Sequence, residues 1–319
     1  KWPVGPLRRH ALRLAAEWII RRQEADGCWG GIQPPWVYSL MALHLLGYPM
    51  DHPGMKKGIE GLETFAITEN GLRRFEACQS PVWDTCLASL ALAEAGVPED
   101  HSAQLRAADW MLGEEVRVQG DWAVRRPDLA PGGWAFEYEN DNYPDLDDTA
   151  VVVMALRGIR HPDSERVDEA IARAVRWTLG MQCSDGGWAA FDVDNTRELC
   201  AELPFCDFGE VIDPPSADVT AHVLEMLAGE GLADDPRVRR CRDWLLREQE
   251  HDGSWFGRWG ANYLYGTGSA VPALVVAGVA KNAPEIRRAV RWLEERQNED
   301  GGWGEDLRSY EDSRMRGRG

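Results

Sequence analysis

No apolar run in this 319-residue chain reaches the roughly 18 residues that a membrane-spanning helix needs. The comparable stretch Thr149-Ala-Val-Val-Val-Met-Ala-Leu156 stops after about two turns. No long apolar stretch follows Lys1-Trp-Pro-Val-Gly-Pro6 either, so a signal peptide is not expected. A first residue other than Met points to a fragment or a processed product. Positive charge is scarce: 35 Lys and Arg stand against 53 Asp and Glu, for a net charge of −18. That argues against nucleic acid, whose phosphates attract basic groups. It equally argues against docking to anionic lipid by charge, so membrane contact would have to be apolar. The 7 cysteines are odd in number and scattered, and no CxxC pair occurs. Their pattern speaks for reduced thiols of a cytoplasmic protein, not for a disulfide framework or a zinc site.

Phe and Tyr are also few, 7 of each, while Trp reaches 15. The surplus of Trp resolves into a repeat. Trp18 to Trp29, Trp177 to Trp188, Trp244 to Trp255 and Trp292 to Trp303 all read Trp-x4-Gln-x3-Gly-x-Trp, with Gln23, Gln182, Gln249 and Gln297. A fifth, degenerate copy is expected from Trp110 to Trp122, with Glu115 in the Gln place. Each copy opens on an amphipathic helix, as Val167, Ile171, Ala174, Val175 and Leu179 show by their spacing. Each helix stops at Asp-Gly or its equivalent, where Gly accepts the left-handed cap conformation. Apolar helices are predicted after the turns, at 37–46, 83–95, 148–156, 219–228 and 268–279. Signals for β-hairpins are few. Helix pairs repeated every 45 to 70 residues or so predict an all-α fold, a solenoid or a closed α/α toroid. The Trp and Gln of each turn are expected to pin one helix end to the next turn at the outer rim, with Gln stacked on Trp.

The densest chemistry lies in Pro144-Asp145-Leu146-Asp147-Asp148-Thr149-Ala150, directly before an apolar helix, with Asp141 just upstream. One Asp suffices to cap a helix. Three carboxylates in four residues exceed that need, and crowded carboxylates cannot all ionise, so one retains its proton. Spacing alone leaves three readings open: an acid catalyst, a cap, or a metal site.

Asp145-Leu-Asp-Asp-Thr-Ala150 together with the Trp repeats resembles the squalene–hopene cyclase family. So do Gly30-Gly-Ile-Gln-Pro-Pro-Trp36, Ser80-Pro-Val-Trp-Asp-Thr85, Pro204-Phe-Cys-Asp-Phe-Gly-Glu210, Asp213-Pro-Pro-Ser216 and Gly257-Arg-Trp-Gly-Ala-Asn-Tyr-Leu-Tyr-Gly-Thr-Gly268. The Asp-Asp-Thr-Ala form points to the squalene branch, since oxidosqualene cyclases carry one catalytic Asp followed by Cys-Thr-Ala. The resemblance implies acid-initiated polycyclisation of squalene to hopene- or hopanol-type triterpenes, with no metal or other cofactor. Asp147 matches the acid that protonates the terminal double bond, and Asp145 and Asp148 match the carboxylates that set its proton affinity. His222 matches the histidine paired with that acid, while Asp84, Thr149 and Asp218 match groups supporting the same network. Trp83, Phe136, Phe191, Trp259 and Tyr265 match aromatics that stabilise carbocations, and Ile32 and Gln33 match the cavity wall. Phe191 stands where relatives have Tyr, which keeps the ring and loses the hydroxyl.

The resemblance further implies a fold of two α/α barrels, incomplete in this chain. Residues 1–78 would end the first barrel; residues 79–319 would form the catalytic one, lacking its last helices. Squalene and a membrane surface met by apolar contact are the implied partners, nucleic acid is not, and a homodimer is left open. The implied location is the cytoplasmic side of the cell membrane, as a peripheral, monotopic protein, with substrate entering near Phe205 and Cys206. Rival readings are a class II diterpene cyclase, a prenyltransferase-like toroid holding zinc, with Asp207 beside Cys206 as the tempting pair, and a non-enzymatic toroid that binds a partner.

Overall fold

The structure, a computed structural model, describes residues 5–200 and 211–319. Helices dominate because the chain alternates two kinds of helical segment. One kind is amphipathic and buries a single stripe: α5 (Ser102–Gly113), α7 (Ser164–Gly180), α9 (Pro236–Arg247) and α11 (Pro284–Glu294). On α7 the buried side chains are Val167, Ala170, Ile171, Ala174, Trp177 and Thr178. The other kind is apolar nearly all round: α4 (Pro81–Glu94), α6 (Leu146–Arg157), α8 (Ala217–Leu227) and α10 (Tyr263–Val276). On α6 every residue from Leu146 to Val153 is buried. A helix that is apolar on all sides has to sit inside. Accordingly α4 packs on α6, α6 on α8, and α8 on α10, with the amphipathic helices outside them. The result is an all-α arc of an α/α toroid.

A second, smaller core precedes the arc. It is built from α1 (Pro6–Arg21), α2 (Gln33–Leu45) and α3 (Pro53–Leu62) around Trp29, Trp36, Leu43, Met55 and Phe65. The larger core runs from Val82 to Ala289. Between them lies a β-hairpin, β1 (Ala66–Glu69) and β2 (Leu72–Phe75). Its turn residues Asn70 and Gly71 have φ of 52° and 76°. An Asn-Gly pair with both residues at positive φ is the tight-hairpin signal, and the periodicity reading passed over it.

The repeat turns share one set of contacts. Gln182 Nε2 donates to the carbonyls of Gly186 and Arg237, each at 2.9 Å. Gln249 does the same with Gly253 and Glu285, and Gln23 with Gly27 and Gly54. The Gln amide acts as a clamp: it ties its own turn to the first turn of a later helix. The Trp that closes the repeat donates its indole N–H ten residues back, Trp188 to Thr178, Trp255 to Leu245 and Trp29 to Ile19. The repeat glycine has φ near 100°, as at Gly186 (107°) and Gly253 (101°).

The fifth copy does not close at Trp122. Trp134 takes that place: its indole donates to Met111 O, and its backbone N–H donates to Thr149 Oγ1 at 3.0 Å. Trp188 and Trp255 make the same backbone bond to Thr220 and Thr267. Gly132-Gly133-Trp134 therefore matches Gly186-Gly187-Trp188, displaced by an inserted loop that contains the short 3-10 turn Asp121–Val124. Trp122 packs inside against Trp177, ring centroids 5.8 Å apart. Glu115 cannot donate as Gln does, and instead accepts Arg173 at 2.6 and 2.8 Å.

Candidate active site

The start of α6 sorts its three carboxylates into three environments. Asp145 is the N-cap, and its Oδ1 accepts the Asp148 backbone N–H at 2.7 Å. The capping reading is met by this residue alone. Asp147, on the first turn, lies 2.6 Å through Oδ1 from His222 Nδ1 of α8. Asp148 is 2 % exposed, and its Oδ1 has no hydrogen-bond partner. Burial pushes both Asp145 and Asp148 well above the ordinary carboxylate range, and each is pushed further by the negative charge of Asp147. Burial pulls the His222 imidazole down, but the charge of Asp147 and its hydrogen bond outweigh that and leave it raised.

Three helices present their functional side chain at one register. Thr149, Thr220 and Thr267 are the hydroxyls that accept the repeat Trp N–H. Two residues before each stands Asp147, Asp218 or Tyr265. Trp83 holds the same offset from Thr85 on α4. Thr149, expected to support the acid network, is thus a member of the repeat framework: it also donates to Asp145 O at 2.5 Å. Asp218 is fully buried and uses its carboxylate on backbone, accepting Trp259 N at 2.7 Å and Val219 N at 3.1 Å.

These groups open onto a cavity of about 1050 Å³ between the two cores. Asp145, Asp147, Asp148 and His222 line it, as do Trp83, Phe136, Phe191, Trp259 and Tyr265. Trp83 and Tyr265 flank His222 with ring centroids 6.1 and 6.2 Å away, and Phe191 meets Trp259 edge-on at 5.7 Å. Ile32 is in the wall, but Gln33 is not. On α2 the wall comes from Pro35 and Ser39. Gln33, the first residue of α2, is half-buried outside that wall. Asp84 is likewise outside the network. It is exposed, and its carboxylate accepts the Ser80 hydroxyl at 3.0 Å. Trp83 and Leu87 hold the cavity face of α4, one turn apart, and Asp84 lies off that face. Phe205, Cys206 and Asp207 lie outside the described residues.

The sequence reading missed Glu137, a fourth carboxyl in the wall. It is 9 % exposed and accepts Asn140 Nδ2 at 2.8 Å, and burial lifts it to about 7 against that hydrogen bond. Asn140 Oδ1, also buried, has no partner. A signal was present: Glu137 is the one charged residue directly joined to the apolar stretch Trp134-Ala-Phe136.

Comparison with known proteins gives a consistent picture. The squalene-hopene cyclase N-terminal domain matches residues 1–71, and the squalene-hopene cyclase C-terminal domain matches residues 79–319. A squalene–hopene cyclase of Alicyclobacillus acidocaldarius subsp. acidocaldarius is 56% identical over 321 residues, which cover 100% of this chain and 51% of that protein. The corresponding proteins of Schizosaccharomyces japonicus and Zymomonas mobilis subsp. mobilis are 46% and 44% identical. Those matches cover 96% and 86% of this chain, and 48% and 43% of theirs. The chain spans about half the length of the curated relatives it matches.

Proposed function

Because the chain belongs to the squalene–hopene cyclase family, we propose that the full-length protein cyclises squalene to hopene- or hopanol-type pentacyclic triterpenes by acid initiation. The observation that carries this reading is the Asp147–His222 contact at 2.6 Å, set in the wall of an aromatic-lined cavity beside two buried carboxyls. With Asp145 and Asp148 reluctant to ionise, negative charge around Asp147 is limited. A protonated His222 donates to Oδ1, and the other oxygen of Asp147 carries the acidic proton.

That proton goes to the terminal carbon of the polyene. The alkene π pair forms the new C–H bond, and the adjacent carbon becomes a tertiary cation. Asp147 is left as a carboxylate paired with the imidazolium. Ring closures then move the positive charge along the folded chain, past the faces of Trp83, Phe136, Phe191, Trp259 and Tyr265. Such faces stabilise a cation without offering a lone pair that would trap it. The cascade ends by loss of a proton or addition of water, and Asp147 is reprotonated for the next turnover. An apolar wall keeps water from competing for the proton.

The proposal divides the chain into the end of a first barrel, residues 1–78, and most of the catalytic barrel, residues 79–319. It places the protein on the cytoplasmic side of the cell membrane, held by apolar area, because the substrate dissolves in lipid and not in water. Among the described residues no helix is long and apolar enough to cross a membrane. The oligomeric state, which the resemblance leaves open, is read by light scattering in detergent.

The deciding experiment incubates the full-length protein with squalene in detergent, without added metal. Pentacyclic products by mass spectrometry support the proposal; unconverted squalene sinks it. Release from membranes by high salt alone would remove the apolar-contact part.

A further inference from the structure

The segment that ends in the acid motif is held from the other core. After Phe136 the chain crosses to α1 and the turn behind it before returning at Asp145. Glu137 closes on Gly31, where any side chain would collide with it. Cys28 Sγ donates to Glu139 O at 3.0 Å. Glu24 Oε1 accepts two donors from Asn142, its backbone N–H at 3.2 Å and its Nδ2 at 2.5 Å. The Asn142 carbonyl accepts Asp121 N at 3.0 Å, and Asp121 also holds Arg22 and the Tyr143 hydroxyl. Asn142 is therefore fixed on every polar group of its backbone, three residues before Asp145.

An independent regularity singles out Glu24. It follows the repeat glutamine Gln23 directly. In two of the other copies the residue at that place also reaches a later loop. Cys183 Sγ accepts Asp194 N at 3.4 Å, and Glu250 pairs with Arg316 at 3.1 Å. In the first copy the loop reached is the one that leads to the acid.

We propose that Glu24 is a positioning residue for the initiating acid: by holding Asn142 it fixes how Asp145, Asp147 and Asp148 enter the cavity. This rests on the cyclase reading for its effect on rate, and on the contacts above for its effect on the loop. Glu24 is 8 % exposed, and burial raises its carboxyl. What the loop uses is the acceptor oxygen, and Gln retains it.

The test uses the full-length protein with Glu24→Ala, Glu24→Gln, Asn142→Ala and the double Ala variant. Two readouts separate the inference from the function it rests on. The first is amide hydrogen exchange over residues 137–148 in folded protein. Glu24→Ala and Asn142→Ala should each speed exchange there at least about tenfold, and Glu24→Gln should leave it near wild type. The second is squalene turnover. Glu24→Ala should lower kcat by about 10- to 100-fold with KM within about threefold, the scale on which a small misplacement of a catalytic group acts. Glu24→Gln should restore most of it, and the double variant should fall little below the single ones. Should Glu24→Ala not accumulate, Asn142→Ala carries both readouts. Unchanged exchange in Glu24→Ala, or Gln failing as badly as Ala, overturns the inference. Altered exchange in a protein that makes no pentacycle leaves the positioning intact and removes the proposed function.

Discussion

The starts of α6 and α8 are two versions of one structural position, and they differ in what surrounds the carboxylate. Asp147 and Asp218 each stand two residues before the threonine that receives a repeat Trp N–H. Both carboxylates belong to buried helices of the same arc. Asp218 is closed off: its oxygens are occupied by the N–H groups of Trp259 and Val219, and it does not line the cavity. Asp147 lines the cavity and meets an imidazole instead of backbone. Backbone N–H groups fix a carboxylate as an acceptor, whereas a histidine leaves it able to gain and lose a proton. Position in the fold therefore does not decide the chemistry; the partner does.

The comparison breaks most sharply if the two residues respond alike. In the full-length protein Asp147→Asn should lower squalene turnover by at least about a thousandfold, the scale of general acid catalysis, because an amide has no acidic proton. Gas chromatography of the products would measure it, and a near wild-type rate would place the acid elsewhere. His222→Ala should cost less, about 100-fold, since it removes the group that polarises the acid and not the proton itself. Asp218→Asn should cost about tenfold, because the amide oxygen still accepts one N–H and leaves Trp259 only partly displaced. Equal losses for Asp147→Asn and Asp218→Asn would erase the distinction drawn above.

Stability tests sharpen it further. Glu137 releases its proton near 4.5 in an unfolded chain and near 7 in the folded one. Between those values the folded state holds more protons, so stability falls as pH rises through the window and levels off above it. The penalty is on the order of 3 kcal/mol above pH 7, by the scale of about 1.4 kcal/mol per unit. Asp145 and Asp148, raised in the same direction, act with the same sign. Glu137→Gln should accordingly lose less melting temperature than wild type between pH 5 and pH 7.5, read by circular dichroism. Parallel losses in the two proteins would show that Glu137 does not titrate there. The smallest effect concerns the shared framework. Thr149→Val and Thr220→Val should each cost about 1–2 kcal/mol, since each leaves a buried Trp N–H unpaired. A large difference between them in chemical denaturation would mean that the two positions are not equivalent.

Much of this was legible because the repeat writes its contacts in residue types. Gln, Gly and Trp at fixed spacing gave the helix pairs, whereas the crowded Asp residues before α6 left an acid, a cap and a metal site open, and only the family resemblance chose among them. The observed helices α4, α6, α8 and α10 fall within a few residues of the segments read from apolar content. What escaped depended on geometry that spacing does not carry. The insertion around Asp121 moved the closing Trp from the expected Trp122 to Trp134, although Gly132-Gly133 announced it. Asp84 shares a motif with Trp83, yet one step along a helix turns a side chain about 100° and out of the cavity. Glu137 needed the chain to fold back against Gly31 before its burial could be seen.

The shared register of Trp83, Asp147, Asp218 and Tyr265 has an evolutionary consequence. On α6, α8 and α10 the threonine fastens the helix to the backbone N–H of a repeat Trp, so the side chain two places earlier is not needed for that bond. Such a layout separates the scaffold's grammar from its vocabulary. An indole, a carboxylic acid or a phenol can be exchanged at these sites by single codon changes or a few, while the wall behind them is conserved by its own bonds. Trp83, Asp147 and Tyr265, which face the cavity from this register, are therefore the positions at which its lining can be changed with least disturbance to the helix framework.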